Sequence, residues 1–130
     1  MTAPLAKELV QKWVDAWLTN NQGQIDEIFA LDYTVNGNAV GVAGVKQAVE
    51  MFHNALSDIS IELIDMISEG DKIAVRWTVR GIHIDNFLGI PPSGKPLTLT
   101  GINIYQIADG KIIANHEQTN IPELLLTLRK

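Results

Sequence analysis

The chain contains no cysteine. This absence excludes disulfide bonds, thiolate metal ligands and cysteine nucleophiles, so carboxylates, histidines, hydroxyls and amides remain for any chemistry. No apolar run approaches the roughly 18 residues that a membrane-spanning helix needs, and the start MTAPLAKELV is more polar than a secretory signal. We therefore expect a cytoplasmic protein with no membrane partner.

Positive charge is also scarce. Ten Lys and Arg residues are outnumbered by 15 Asp and Glu residues, which gives a net charge of −5, and the longest basic cluster is residues 129 and 130. We therefore expect no nucleic-acid partner. The chain does have an apolar content of 46% over 130 residues, which suits one globular domain, residues 1–130, with one core.

The first half of the chain is predicted to form helices. Apolar residues recur at helical spacing over residues 5–17, 24–30 and 45–56. The segment 33–36 is predicted to be a short strand between the second and third helices. Three helices therefore come before most of the strands.

The second half is predicted to form an antiparallel meander. Alternating or apolar patterns bounded by the turn signals EGD and ADG indicate strands at residues 59–68, 72–83, 97–107 and 111–119. Residues 84–96 form a long loop. Asn120 and Glu123 predict a capping box at the start of a short C-terminal helix. Helices followed by a meander favour the α+β class.

Gly101 interrupts the strand LTLTGINIYQI, because the apolar positions change from odd to even numbers across it. Two structures fit this shift: a β-bulge at Gly101, or a strand covered on both faces. In both structures Asn103 and Tyr105 share a face.

The order of these elements, together with FLGIPPSGKPLTLTGINIYQIADGKII, resembles the SnoaL-like polyketide cyclases, a group that includes ester cyclases. That group belongs to the nuclear-transport-factor-2-like (NTF2-like), ketosteroid-isomerase-like superfamily. The resemblance implies a cone-shaped α+β roll, also called cystatin-like, in which a curved antiparallel sheet packs against three N-terminal-half helices and a short C-terminal helix follows. It also implies a homodimer and a pocket for a small hydrophobic molecule.

The resemblance also implies an acid/base residue. In the cyclases a carboxylate on the last strand has this role, aided by a polar residue on the neighbouring strand, and the matching residues here are Glu117 and Asn103. Cyclases carry histidine at the second position and isomerases aspartate, whereas an asparagine can donate a hydrogen bond but cannot titrate. Burial in the pocket should raise the pKa of Glu117. The alternative is an exposed glutamate paired with Lys111 or Arg76.

Further pocket residues are predicted from alternation and from the apolar faces. Asn115 and Thr119 share the face of Glu117 on the last strand. Asn36 lies near the place where ketosteroid isomerases carry their aspartate base. Because this chain has an asparagine there, which cannot act as a base, isomerisation by a base at that point is disfavoured. The candidates for the pocket wall are Tyr105, Asn115, Thr119, Trp77, Trp17, Phe52, Asn36 and His83.

Each of these candidates has a structural alternative. Tyr105 and the other aromatic residues can be core, Asn36 can serve the NGN turn, and His83 can be structural or exposed. The loop FLGIPPSG presents Phe87, Leu88 and Ile90, which can line the pocket mouth or meet a partner subunit.

No two histidines have the ligand spacing HxH or HxxxH, so no metal is predicted. The sequence predicts a cofactor-independent cyclase or isomerase that acts on a small apolar substrate bearing a carbonyl group. One alternative is a non-catalytic module that binds a small hydrophobic ligand. Another is a dimeric interaction domain whose interior is filled.

Overall fold

The computed structural model describes residues 2–129, which form four helices and six strands. The helices are α1 (Ala3–Thr19), α2 (Gln22–Ile28), α3 (Gly41–Ala55) and α4 (Ile121–Leu128). The strands are β1 (Phe29–Val35), β2 (Asn38–Ala39), β3 (Leu56–Glu69), β4 (Lys72–His83), β5 (Pro96–Ala108) and β6 (Lys111–Thr119). The α+β class and the three helices of the first half are as predicted.

Helix α1 begins and ends where the sequence signals place its ends. The Thr2 side chain accepts a hydrogen bond from the Leu5 backbone N–H at 3.4 Å, and a proline lies in the first turn. Asn20 ends the helix in the left-handed conformation, with φ of 51°. Within residues 2–129 no helix combines the length and apolar content needed to cross a membrane, and the cytoplasmic location stays a prediction.

The six strands form one sheet in the order β2-β1-β6-β5-β4-β3. Neighbouring strands are antiparallel except for β1 and β6, which are parallel. The predicted all-antiparallel sheet is therefore corrected at this one junction, where the N-terminal half of the chain joins its last strand. We call the face that packs against α1 and α3 the inner face, and the opposite face the outer face.

Strand β5 passes through Gly101 without a bulge. Its pairing with β4 is continuous there, and Gly101 lies directly opposite Trp77. The apolar shift in the sequence arises because Ile102 and Ile104 lie on the outer face, where they are 50% and 43% exposed. The inner face keeps the odd-numbered positions along the strand.

A bulge does occur in β6. The pairing with β5 shifts between Gln106 and Ile107, which leaves Ile113 as an extra residue. Ile112 and Asn115 are consequently both buried, although strict alternation would place residues three apart on opposite faces. The bulge thus turns Asn115, and the alternate residues after it, toward the inner face.

From the loop over residues 84–95, Phe87 joins a second hydrophobic cluster between the sheet and α4. Phe87 and Ile90 exchange backbone hydrogen bonds of 2.9 Å in a tight turn, and both side chains are buried. Phe87 packs beside Phe52 with ring centroids 5.8 Å apart. The prediction that Phe87 and Ile90 line the pocket mouth or meet a partner subunit is therefore wrong, whereas Leu88 is 45% exposed and stays available to a partner.

The predicted capping box of α4 is wrong. Asn120 precedes the helix, but its side chain makes no cap hydrogen bond. Instead its Oδ1 accepts a hydrogen bond from the Thr100 N–H at 2.9 Å, and its Nδ2 donates to the Thr98 carbonyl at 3.0 Å. Asn120 thus extends the pairing of β6 with β5, because β5 offers its amide both a backbone N–H and a carbonyl, whereas a helix start offers only N–H groups.

Candidate active site

A cavity of about 210 Å³ lies between the inner face of the sheet and helices α1 and α3. Its wall is mainly apolar, and all three tryptophans of the chain line it. Eight of the ten predicted site residues line it, namely Glu117, Asn103, Tyr105, Asn115, Thr119, Trp77, Trp17 and Phe52. The polar members of this set come from β5 and β6.

Four polar side chains form two cross-strand pairs on these strands. Asn103 lies opposite Glu117, and Tyr105 lies opposite Asn115. The Cβ atoms of directly opposed residues are about 4.5–5.5 Å apart. The pairing therefore gathers an amide, a carboxylate, a phenol and a second amide at one place on the cavity wall.

Asn103 is held by three hydrogen bonds. Its Oδ1 accepts from the Trp77 indole N–H at 2.6 Å, and its Nδ2 donates to the Tyr105 hydroxyl and to Glu117 Oε2, both at 3.1 Å. The side chain is buried, so each of these bonds satisfies a group that would be costly to leave unpaired. Both amide hydrogens are used within the protein, which suits Asn103 to positioning Glu117.

Glu117 receives amide hydrogens on one carboxylate oxygen. Asn103 Nδ2 donates to Oε2 at 3.1 Å and Asn115 Nδ2 donates to the same atom at 3.3 Å. No ion pair within residues 2–129 includes Glu117. Arg76 pairs with a β3 carboxylate and Lys111 donates to a backbone carbonyl, so the alternative of a paired surface glutamate is not found.

Asn36 lies outside the cavity lining, which corrects its predicted place in the pocket. Strand β1 ends at Val35, and Asn36 turns into the left-handed conformation with φ of 50°. Its Oδ1 accepts from the Glu117 backbone N–H at 2.9 Å, and its Nδ2 donates to the Glu117 carbonyl at 3.3 Å. The side chain thus continues the parallel pairing beyond the end of β1 and fixes the backbone of Glu117.

His83 also lies outside the cavity lining, contrary to its predicted place. Its ring is fully buried, and Nδ1 accepts a hydrogen bond from the Ser93 N–H at 3.2 Å. The His83 carbonyl accepts from the Gly94 N–H at 2.9 Å, so the loop folds back over this residue. His83 therefore has a structural role, which was the alternative to its predicted place in the pocket.

The Tyr105 hydroxyl is a hydrogen-bond donor beside the carboxylate. Its oxygen accepts from the Trp13 indole N–H at 3.2 Å and from Asn103 Nδ2 at 3.1 Å, which leaves its own hydrogen for an acceptor in the cavity. Burial raises the pKa of Tyr105 above its ordinary value, and the neighbouring Tyr33 and the Glu117 charge raise it further. The phenol therefore stays protonated at ordinary pH.

Sequence reasoning missed two contributors to this site. Trp13 is absent from the predicted site residues, although its four-residue spacing from Trp17 indicates that both indoles share one helix face. Tyr33 lines the cavity beside Asn115, and burial raises its pKa while the Asn115 amide lowers it. No local signal points to Tyr33, because its approach depends on the parallel pairing of β1 with β6.

The position of Trp77 depends on a missing side chain. A Cβ atom at Gly101 would lie 2.3 Å from Trp77 Cζ2 and 2.7 Å from Cε2, far inside contact distance. The indole can therefore cross β5 only over glycine, and this crossing brings Nε1 to the Asn103 amide.

The donor set favours proton transfer. The site combines one carboxylate with amide, indole and phenol groups inside an apolar wall. Within residues 2–129 no group of three or more histidine, aspartate or glutamate side chains gathers to hold a metal ion. A carboxylate beside a phenol donor can remove a proton from carbon and stabilise the resulting oxyanion.

Known proteins resemble this chain over nearly its whole length. The family model for SnoaL-like polyketide cyclases matches residues 7–127. Aklanonic acid methyl ester cyclase DnrD of Streptomyces peucetius is 26% identical over an alignment that covers 95% of this chain and 88% of the relative.

Two solved structures share the fold. TsrD from Streptomyces laurentii superposes with a TM-score of 0.90 at 25% identity. The superposition covers 98% of this chain and 97% of TsrD. A SnoaL-like polyketide cyclase from Agrobacterium tumefaciens gives a TM-score of 0.81 at 14% identity, with 94% of this chain and 96% of that one covered. The matched length and the shared architecture establish the family: this chain belongs to the SnoaL-like polyketide cyclases.

Proposed function

We propose that the protein is a cofactor-independent cyclase that closes a ring on a small apolar substrate bearing carbonyl groups. The observation that carries this proposal is the Glu117 carboxylate, which borders an apolar cavity and is held by two amides rather than by a cation. Such a group can exchange protons with a substrate, because no permanent positive charge neutralises it.

The proposed reaction is an aldol-type closure. Glu117 removes a proton from the carbon next to one carbonyl group, and the electron pair of that C–H bond moves to form an enolate. The Tyr105 hydroxyl donates a hydrogen bond to the enolate oxygen. The enolate carbon then attacks a second carbonyl carbon of the same molecule, and Glu117 returns its proton to the alkoxide that forms. The closure is redox-neutral and the base is regenerated, so it requires no cofactor.

The cavity limits the size of the reacting part of the substrate. An apolar cavity of about 150 Å³ can hold benzene, and the cavity here has about 210 Å³. We expect it to take one or two rings. The relative DnrD is named for the cyclisation of a methyl ester, which supports ring closure as the reaction class.

A non-catalytic binding module is the second candidate, because the apolar wall would hold a small hydrophobic molecule without any chemistry. Exchange of hydrogen for deuterium at carbon separates the two candidates. We expect the protein to accelerate the exchange of the methyl protons of acetophenone in D₂O, followed by NMR, above the rate in buffer alone. Acetophenone that binds in calorimetry without accelerated exchange would favour the binding module and contradict the proposed base.

We further propose that the protein is a homodimer joined through the outer face of the sheet. Ile102 and Ile104 are half-exposed in the middle of this face. Arg76 lies directly opposite Ile102 and pairs with Asp65, and the pair Arg80–Glu62 lies farther along the same strands. A patch with an apolar centre and charges of both signs at its rim is self-complementary when it is rotated onto a second copy.

Light scattering coupled to size-exclusion chromatography tests the homodimer. We expect the mass of a dimer for the natural protein and the mass of a monomer for Ile104→Lys, because a lysine charge would be buried in the contact. Leu31→Lys is the matched control, since Leu31 is 85% exposed on β1, and it should remain dimeric. A monomeric natural protein would contradict the proposal.

A further inference from the structure

Asn115 carries a buried acceptor that the protein itself does not use. Its side chain is only 3% exposed and lines the cavity, and its Nδ2 is engaged with Glu117 Oε2. Its Oδ1 is inaccessible to solvent and has no hydrogen-bond partner within residues 2–129. Buried acceptors are nearly always paired, so this atom calls for a donor from outside the chain.

The surroundings of this atom define what the donor must be attached to. Asn115 lies directly opposite Tyr105, whose hydroxyl hydrogen is available to a carbonyl oxygen. The Cβ atoms of such a pair are about 5 Å apart. One small ligand can therefore accept a hydrogen bond from Tyr105 and donate one to Asn115.

We propose that Asn115 is a specificity-determining residue that selects ligands with a phenolic or enolic hydroxyl in addition to the carbonyl group. The hydroxyl donates to Asn115 Oδ1, and the carbonyl oxygen accepts from Tyr105. The amide cannot rotate to offer its NH₂ group instead, because that would turn Oδ1 toward the Glu117 carboxylate and lose the 3.3 Å hydrogen bond. The orientation of the acceptor is thus tied to the carboxylate.

This inference rests on the proposed function for the placement of the carbonyl group, but its test measures binding alone. Calorimetry compares 3-hydroxyacetophenone with 3-methoxyacetophenone, in which a methyl group replaces the donated hydrogen while the oxygen remains. A hydroxyl that satisfies a buried acceptor should favour the first ligand by about 10-fold or more. Asn115→Leu should reduce this ratio to about one.

Two further variants keep the test specific. Asn54→Leu makes the same change as Asn115→Leu at an exposed site on α3, outside the cavity lining, and should leave the ratio unchanged. Tyr33→Phe should also leave it unchanged; a ratio that rises in this variant would mean that the Tyr33 hydroxyl already satisfies Asn115, and would overturn the proposal. Equal affinities for the natural protein, or no measurable binding of either ligand, would overturn it as well.

The failure of this proposal is distinguishable from failure of the cyclase proposal. Hydroxyl selectivity without deuterium exchange at carbon would leave a selective binding site and remove the catalyst. Exchange without hydroxyl selectivity would leave the base in place and remove the role assigned to Asn115.

Discussion

Replacing Glu117 with glutamine should lower proton exchange and turnover by at least about 100-fold, the smaller end of what a positioned acid/base group contributes. Glutamine has the same shape, and its carbonyl oxygen can accept from the two amides that now donate to Oε2. Binding and folding should therefore persist while proton transfer is lost. The measurement is the rate of deuterium incorporation into acetophenone, set against its affinity by calorimetry.

Two companion variants sharpen this result. Glu117→Asp keeps a titratable carboxyl group but withdraws it by one methylene, so we expect an activity between those of the natural protein and Glu117→Gln. Glu50→Gln makes the same chemical change at an exposed site on α3 and should have no effect. Undiminished exchange in Glu117→Gln would remove this residue from the chemistry.

Replacing Gly101 with alanine should both destabilise the protein and distort the site. The new Cβ would lie 2.3 Å from Trp77 Cζ2 and 3.1 Å from the Gln118 carbonyl, so the indole has to move. Overpacking of this kind costs about 1–3 kcal/mol. The displaced indole would release Asn103 and with it Glu117, so we expect weaker ligand binding and slower exchange. Urea denaturation and calorimetry measure the two effects.

A double-mutant cycle identifies the cause. In the Trp77→Val background the indole that would clash with the new Cβ is absent. Adding Gly101→Ala there should therefore reduce the free energy of unfolding much less than it does in the natural protein. Gly23→Ala is the matched control, because its Cβ would meet only Asn21 Oδ1 at 3.7 Å within helix α2. That change should stabilise the protein by about 0.5–1 kcal/mol. Equal costs of Gly101→Ala in both backgrounds would contradict the role assigned to the Trp77 contact.

The sequence predicts the elements well because their signals are local. Helical spacing on α1 and the alternation of β4 each depend on neighbouring residues, and both are found. Alternation also brings Asn115, Glu117 and Thr119 to one face, as the cavity lining has it. The prediction succeeds within β6 because the bulge at Ile113 comes before these three residues.

The parts that could not be predicted depend on contacts between distant segments. The parallel pairing of β1 with β6 joins residues about 80 positions apart, and the place of Asn36 against the Glu117 backbone follows from it. A bulge has no strong residue signature, so Ile112 could not be assigned to the inner face from alternation. His83 looked like a pocket residue because its burial depends on how the following loop folds back.

The tryptophans have an optical consequence. The chain has three, Trp13, Trp17 and Trp77, and all of them border the cavity. Fluorescence excited near the red edge of protein absorption, where tryptophan dominates, will therefore report almost entirely on the wall of the cavity. Intrinsic fluorescence therefore measures whether a ligand occupies the cavity, and candidate ligands can be screened by quenching or spectral shift without attaching a dye.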